Sequence, residues 1–266
     1  MTIMARANQL QLRLVRKGPE VAAAQRLRYR VFYEEMGAVA PPAVRASRSD
    51  EDRFDALADH LVVVDLDRST RQRPHVVGCY RLLREGAGRE RGLFYTATEF
   101  DLSEVKAPKG VMMELGRSCV APEYRNGTVM QLLWRGIADY IDVHGVGLML
   151  GCASLPGTDP EALAPALAYL HHYCLAPEGL RPRALPDRHV DADRLPPEAI
   201  DPCAVMRTLP PLLKAYLRMG GMIGEGAVVD HAFNTIDVCL VLPAAGIVDR
   251  YQRRCRQRRP GMAEAA

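Results

Sequence analysis

Two charged side chains interrupt an apolar run in the middle of the chain. Glu114 and Arg117 lie in VMMELGRSCV, residues 111–120, which otherwise has the character of a buried strand. A carboxylate in such a strand loses hydration, so its pKa rises toward values that suit a general base. An ion pair between Glu114 and either Arg117 or Arg81 is the structural alternative, and the residues alone leave both interpretations open.

A Pro-containing turn and a basic loop follow this strand and open an amphipathic helix that runs to Tyr140. Backbone N–H groups at a helix start lack intrahelical acceptors and lie at the positive end of the helix dipole. The helix entry can therefore hold an anion such as a phosphate, and we predict that Arg125 assists it.

Further charged and aromatic side chains lie at strand and helix positions. Arg28 and Phe32 are one turn apart on a predicted helix, for which ordinary amphipathic packing is the alternative. Asp52 and Asp55 precede a predicted strand, where carboxylates either bind an amine or cap the strand entry. Arg81 interrupts another apolar strand and is either a structural ion-pair partner or a ligand for a carboxylate.

Strands and helices alternate along the chain in the order needed to position these side chains. The predicted elements are a strand at 9–15, a helix at 21–36, a loop at 38–52, an antiparallel pair at 61–65 and 76–83, the strand at 111–120 with its helix, an apolar strand at 146–154, a helix at 159–173, a Pro-rich excursion at 177–211, a helix from Pro210 to Gly220, and two strands joined by a turn near Asn234. The strand at 111–120, its helix and the next strand predict a parallel crossover.

Composition places the chain among ordinary globular proteins. Its 266 residues are 48% hydrophobic and 25% charged with a net charge of +3, which excludes disordered and fibrous classes. Seven cysteines, an odd number without paired ligand spacing, argue against a disulfide framework and against a zinc site. Because no run has signal-peptide character or approaches the roughly 20 apolar residues of a membrane span, we expect a cytoplasmic protein.

Basic residues crowd the end of the chain. We predict one domain over residues 1–248, including the Pro-rich excursion at 177–211, followed by a flexible basic tail at 249–266. The tail contains Arg250, Arg253, Arg254, Arg256, Arg258 and Arg259. It is either a solvated segment or a contact for an acidic partner or an anionic lipid surface, where each basic residue contributes about 1 kcal/mol.

The order of elements resembles the GNAT acyltransferase superfamily. Within it, seven positions resemble the charged and aromatic signature of acyl-homoserine-lactone synthases, although Ala38 stands where that family has a Trp. The seven are Arg28, Phe32, Asp52, Asp55, Arg81, Glu114 and Arg117. A fuller match, over 21–243, resembles the ornithine acyl-carrier-protein N-acyltransferases that make lyso-ornithine lipid. It rests on RYRVFYEEMGA, MELGRSCVAPEYRNG, LLWRGIA, GCASLPGTDP, LPPLLKAYLRMGG and AVVDHAFNTIDVCLVLP.

This resemblance implies an α/β, GNAT-type acyltransferase fold with a mixed central sheet, flanking helices and a C-terminal extension. It implies transfer of a 3-hydroxyacyl chain from acyl carrier protein to the α-amine of ornithine, with Glu114 and Arg117 as catalytic residues. The implied acceptor site is Arg28, Phe32, Asp52, Asp55, Arg81 and Ser154. The implied donor site is Ser118, Cys119, Val120, Arg125, Asn126, Gly127 and Thr128, in which backbone N–H groups of 118–120 polarise the thioester carbonyl.

The implied partners are acyl carrier protein, ornithine and an anionic membrane surface at the inner face of the membrane, without nucleic acid. We expect no metal and no permanently bound cofactor, because 4′-phosphopantetheine arrives on the carrier protein. The alternatives are an enzyme like the acyl-homoserine-lactone synthases, an acetyl-CoA-dependent GNAT enzyme acting on another small amine, and a catalytically silent lipid- or carrier-binding protein.

The donor loop departs from the usual superfamily pattern, in which glycines stand three and five residues after a Gln or Arg. Counted from Arg125, those places hold Thr128 and Met130, and Gly127 is the loop's glycine. Side chains at both places would crowd a nucleotide pyrophosphate. We therefore expect that coenzyme A is not the preferred donor.

Overall fold

The computed structural model describes residues 2–86, 94–245 and 247. Their strands are β1 (Thr2–Ala7), β2 (Leu10–Val15), β3 (Asp59–Asp65), β4 (His75–Arg84), β5 (Phe100–Asp101), β6 (Val111–Val120), β7 (Val146–Pro156), β8 (Arg183–Ala184), β9 (His189–Val190), β10 (Met222–Ile223), β11 (Ala227–Asp230) and β12 (Thr235–Pro243). Their α-helices are α1 (Pro19–Tyr29), α2 (Pro42–Ser47), α3 (Thr128–His144), α4 (Ala164–Cys174), α5 (Pro202–Thr208) and α6 (Pro211–Arg218).

One large mixed sheet organises these elements. Its strands are hydrogen-bonded in the order β1-β2-β3-β4-β6-β7-β12-β11-β9, and β10 pairs with β12. The strand pairs along this path are antiparallel except for β6 and β7, which are parallel and joined through α3. The predicted mixed sheet, the parallel crossover and the β11–β12 hairpin are all confirmed.

Helices cover both faces of this sheet. On one face α3 lies so close to β4 that a Cβ on Gly78 would approach Val129 Cγ1 to 2.3 Å, so only glycine fits there. Successive strand residues point to opposite faces, and Arg81 reaches Asp55 on the other face. Arg28 of α1 binds the same Asp55, so α1 packs against this second face.

Several boundaries differ from the sequence-based predictions. The helix predicted at 21–36 is α-helical to Tyr29 and continues as a π-helix over Arg30–Glu35. The loop predicted at 38–52 contains α2, whose first residue, Pro42, has its φ already fixed near a helical value. The Pro-rich excursion contains α5, because Asp201 accepts hydrogen bonds from the backbone N–H groups of Cys203 and Ala204.

Two further differences are a strand that was not predicted and a helix that is shorter than predicted. Strand β1 was not predicted, and α4 begins at Ala164 rather than at Asp159. The predicted basic tail at 249–266 lies outside the described residues. Within the part of the chain that the structure describes, no helix has both the length and the apolar character needed to cross a bilayer.

The central parallel pair does not stay paired along its whole length. Strands β6 and β7 pair from Val111 opposite Val146 to Glu114 opposite Leu150. Beyond Glu114, β6 continues alongside β4, while β7 continues alongside β12. A gap therefore opens in the middle of the sheet, and Glu114 lies where it begins.

Candidate active site

A cavity of about 1820 Å³ occupies this gap and the space on both sides of the sheet. Its walls come from β6, β7, the start of α3, the π-helical turn, α6 and the β11–β12 hairpin. The lining residues that were predicted from sequence are Phe32, Arg81, Glu114, Arg117, Ser118, Cys119, Val120, Arg125, Gly127, Thr128 and Ser154. Elements distant in sequence thus bring most of the predicted site into one cavity.

The remaining four predicted residues adjoin the cavity without lining it. Asp52 and Asp55 hold the guanidinium of Arg81, and Arg28 holds Asp55 in turn. Asn126 accepts a hydrogen bond from the backbone N–H of Thr128 at 3.1 Å, through its side-chain oxygen. These four residues therefore support cavity-lining residues.

A β-bulge in β6 decides where Arg117 points. Arg81 of β4 is opposite Gly116, whereas Cys79 is opposite Cys119, so β6 has one extra residue between these pairs. Arg117 has a φ of 49°, in the left-handed region. Strict alternation would send Gly116 and Arg117 to opposite faces, but the bulge turns Arg117 to the Arg81 face.

Glu114 is a buried carboxylate at the cavity wall. It is 2% exposed, and its Oε2 accepts a hydrogen bond from the backbone N–H of Thr96 at 2.7 Å. Burial raises its pKa, and the hydrogen bond from Thr96 opposes this only in part. Arg81 and Arg117, the partners of the ion-pair alternative, are paired with aspartates instead. Glu114 therefore has the properties expected of a general base.

Three arginines and three aspartates form a compact ion network beside Glu114. Both terminal nitrogens of Arg28 bind Asp55, at 2.8 and 2.6 Å, and its Nε lies 2.8 Å from Asp50 Oδ2. Burial opposes ionisation of Asp55, yet the hydrogen bonds and charge of Arg28 outweigh it and lower its pKa. A planar guanidinium with a bidentate carboxylate fixes geometry as well as charge.

The network reaches the cavity through its other two arginines. Arg81 Nη1 binds both carboxylate oxygens of Asp52, at 2.6 and 2.7 Å. Arg117 Nη2 lies 3.3 Å from Asp52 Oδ2, and its guanidinium stands 4.8 Å from the ring centre of Tyr95 and 4.9 Å from that of Phe233. The carboxylates and the two rings together fix Arg117 in one orientation.

The donor loop is also held by side chains. Arg125 forms a two-pronged ion pair with Glu35, with its Nη2 2.7 Å from Oε2, and its Nε donates to the carbonyl oxygen of Val120 at 3.0 Å. Gly127 stands at the N-cap of α3 with a φ of 91°. Arg125 is therefore at the predicted helix entry, but a phosphate would have to displace Glu35 from it.

Sequence reasoning missed a second group of acids around the cavity. Asp230 and Asp237 line it, and Glu99 lies just behind them. Asp237 interrupts the apolar strand TIDVCLV as Arg81 and Glu114 interrupt theirs, so the same criterion applied to β12 would have found it. Nothing local marks Asp50, Tyr95 or Thr96, because loops deliver them to the site.

Comparisons with known proteins extend over nearly the whole chain. A family model described as an acetyltransferase (GNAT) domain matches residues 27–135. The L-ornithine N(alpha)-acyltransferase of Agrobacterium fabrum is 45% identical over 251 residues, which cover 94% of this chain and 86% of that protein. The enzyme of the same name from Rhodobacter capsulatus is 44% identical, covering 91% of this chain and 93% of its own.

The solved structures to which the chain is similar are far more distant in sequence. The acyl-homoserine-lactone synthase LasI is 13% identical, with a TM-score of 0.46, over 88% of this chain and 89% of its own. FeeM, an N-acyl amino acid synthase from uncultured soil microbes, is 10% identical, with a TM-score of 0.46, over 90% of this chain and 92% of its own.

Proposed function

Because this chain belongs to the family of L-ornithine N(alpha)-acyltransferases, on the GNAT fold, we propose that it transfers a 3-hydroxyacyl chain from acyl carrier protein to the α-amine of ornithine. The product is the amide of lyso-ornithine lipid. The observation that carries the proposed site is Glu114, a buried carboxylate of raised pKa where β6 and β7 separate.

Glu114 acts as the general base in this proposal. The α-amine of ornithine attacks the thioester carbonyl carbon, the new C–N bond forms and the C–S bond breaks. Glu114 accepts the proton that the neutral amine loses and passes it to the departing pantetheine thiolate. An amine that arrives as an ammonium group releases one further proton to solvent. A carboxylate of raised pKa suits this role because it can bind the proton at neutral pH and release it again.

Charge that develops on the carbonyl oxygen needs donors aimed at it. Residues 115–120 of β6 have left their pairing with β7, so one edge of this segment faces the gap. We place the thioester carbonyl there, next to those backbone N–H groups of 118–120 that point to the gap; the N–H of Cys119 points to β4 instead, because N–H groups alternate between the two edges of a strand. Arg117, fixed by Asp52 and two aromatic rings, adds positive charge at the same point.

The cavity on the α3 side of the sheet is apolar and suits the acyl chain. Trp134 packs edge-on against Tyr80 and Tyr216, with ring centres 6.4 and 5.6 Å apart. The hydroxyl groups of these two tyrosines lie 3.0 Å apart and satisfy each other. Leu212 and Met219 extend the same wall. A hydrocarbon chain buried here gains about 0.8 kcal/mol per methylene group.

A carrier-bound donor fits the loop better than coenzyme A does. Thr128 and Met130 occupy the places of pattern glycines, and Asn126 already accepts the N–H of Thr128. Fewer backbone N–H groups are therefore free to bind a nucleotide pyrophosphate. Phosphopantetheine on a carrier protein carries one phosphate, which Arg125 and the entry of α3 can hold.

We also propose that the protein makes a peripheral contact with an anionic bilayer at the inner face of the membrane. The product is an amphiphile, and the six arginines of residues 249–266 suit an anionic surface. Binding of the full chain and of a chain ending at 248 to phosphatidylglycerol vesicles tests it. Equal binding of the two would refute it.

Purified protein with labelled ornithine tests the reaction. It is offered matched 3-hydroxyacyl chains on acyl carrier protein or on coenzyme A, and labelled lyso-lipid is measured. We expect product from the carrier-bound chain and at least about tenfold less from the coenzyme A thioester at equal concentration. Equal use of both donors would contradict the donor assignment, and the absence of product from either would contradict the function.

A further inference from the structure

The cavity has an acidic wall across the gap from Glu114. Asp237 of β12 and Asp230 at the end of β11 both line it and are 4% and 6% exposed. The strand register sets Asp237 opposite Ser154 of β7, and the hydroxyl of Thr235 donates to Asp237 Oδ1 at 2.9 Å. Adjacent strands therefore hold this carboxylate in place.

A third carboxyl group, that of Glu99, lies behind this wall. Glu99, 1% exposed, accepts a hydrogen bond from Cys152 Sγ at 3.3 Å. One carboxylate oxygen of Glu99, the Sγ of Cys152 and one carboxylate oxygen of Asp237 all lie within 4.8 Å of one another. Burial and then the neighbouring Asp237 raise the pKa of Glu99 to about 7, and burial also raises the pKa of Asp237.

Positive charge near these three acids is sparse in the described part of the chain. Arg188 Nη1 lies 3.7 Å from Glu99 Oε1, and Arg117 acts on Asp237 through its charge alone. No described cation forms an ion pair with Asp230 or Asp237. The network around Arg28 differs, because it sets three arginines against three aspartates. Buried charges are normally paired, so the acidic wall is suited to a cation that enters the cavity.

An independent feature across the gap suits an anion. Arg81 is 1% exposed, and its buried Nε has no hydrogen-bond partner among the described residues. Arg81 lines the cavity, and a Cβ on Gly116, which also lines it, would stand 3.8 Å from this nitrogen. A ligand carboxylate that approaches over Gly116 would meet an unused donor.

We propose that Asp237 and Asp230 bind the side-chain ammonium of the acceptor while Arg81 binds its α-carboxylate. The acceptor class is then an α-amino acid with a cationic side chain, and Glu114 is left to face the α-amine. Asp237 and Asp230 are specificity-determining residues, and Glu99 supports them from behind. This inference rests on the proposed function and names the contacts by which the site distinguishes its acceptor.

Competition between two amino acids tests the acidic wall. L-Ornithine and L-norvaline share one carbon skeleton, and norvaline lacks the δ-amine. Equal concentrations of both are mixed with 3-hydroxyacyl carrier protein, and the ratio of the two amides is measured by mass spectrometry. We expect the wild-type enzyme to favour ornithine by on the order of 10³-fold, because a site built for a polar group rejects the analogue that lacks it.

The variants Asp237→Asn and Asp230→Asn should each lower this ratio, the first by about 10²-fold, mainly through a slower reaction of ornithine. Asp142→Asn, at an exposed position on α3, is the matched control and should keep the wild-type ratio. Because the ratio is internal to each sample, a partly folded preparation still reports it. L-Lysine and L-2,4-diaminobutyrate have side chains one methylene group longer and one shorter than that of ornithine. Their competition against ornithine in the same assay measures which distance between the two amines the acidic wall accepts.

The outcomes separate this inference from the function on which it rests. A wild-type enzyme that acylates ornithine without preference over norvaline would overturn the acidic wall alone. An unchanged ratio in Asp237→Asn, in Asp230→Asn and in the double variant would do the same. A wild-type enzyme that acylates neither amino acid would overturn the proposed function as well.

Discussion

Glu114 accepts the backbone N–H of Thr96 through Oε2 at 2.7 Å, while its Oε1 would stand 3.5 Å from a Cβ on Gly116. One carboxylate oxygen is therefore anchored by the backbone. The other is on the side of the cavity, where the glycine leaves room. Because the anchor is a main-chain group, no substitution of a neighbouring side chain removes it directly.

This arrangement predicts the behaviour of Glu114→Gln. The amide oxygen can still accept the N–H of Thr96, so we expect normal folding, but an amide cannot accept the proton of the attacking amine. N-Acylation of ornithine should fall by about 10²-fold or more. Turnover with 3-hydroxyacyl carrier protein measures it, and the exposed Glu104→Gln is the control. Near-wild-type turnover in Glu114→Gln would remove Glu114 from its role.

The raised pKa of Glu99 predicts that the variant Glu99→Gln is more stable than wild type at high pH. Its pKa of about 7 in the folded protein exceeds the unfolded value of about 4.3. Its ionisation therefore destabilises the fold increasingly as pH rises between these values, and fully above about 7. Glu99→Gln should be more stable than wild type at pH 8, by about 3–4 kcal/mol, and equally stable at pH 4.

Chemical unfolding at the two pH values measures this difference. The charged or titratable groups around Glu99 are Tyr95, Cys152, Arg188, Asp230 and Asp237. Glu104→Gln, at an exposed position, should show no such dependence. A Glu99→Gln stability gain that is equal at both pH values would contradict the raised pKa.

The ion network predicts a large cost for Arg28→Ala. Removing this guanidinium leaves Asp55 and Asp50 buried with less countercharge, which should lower the free energy of unfolding by about 3–5 kcal/mol. Arg183, whose Nε lies 3.0 Å from Glu225 in a half-exposed pair, is the matched control. Arg183→Ala should cost about 0–1 kcal/mol. Urea unfolding measures both, and similar costs would show that the network is not stabilising.

The ion pair between Arg125 and Glu35 predicts that substitutions of its two members change the affinity for the acyl donor in opposite directions. Arg125→Ala should weaken the binding of acyl carrier protein with little change in melting temperature, since the pair is partly exposed to solvent. Glu35→Gln should strengthen binding, because it frees the guanidinium for the phosphate. Titration with acyl carrier protein measures the affinity of each variant and so tests both predictions. Equal affinities in both variants and wild type would rule out a role for Arg125 in donor binding.

Local patterns in the sequence predicted most of the sheet, the crossover through α3 and the two charged residues of β6. Periodicity suffices there, because the strands and the helix expose faces that repeat along the chain. Asp237 obeys the same rule, since it interrupts an apolar strand, although it was not predicted. The family of the chain could also be recognised from short motifs.

Only the tertiary structure decided how these residues face one another. Alternation puts Glu114 and Arg117, three residues apart, on opposite faces of a regular strand. The bulge against β4, with a positive φ at Arg117, turns both toward the same face of the sheet. A bulge depends on the register between two strands, and the paired residues on β4 lie 35 to 40 positions earlier in the chain.

The partners of the charged residues were likewise decided by long-range packing. Sequence spacing could not show that Glu35 forms an ion pair with Arg125, which is 90 residues away. Nor could it show that the backbone N–H of Thr96 donates a hydrogen bond to Glu114. Ion pairs and pKa shifts depend on distance and burial in three dimensions. The sequence by itself determined which charged groups the sheet carries, and the fold decided which of them are paired and which face the cavity.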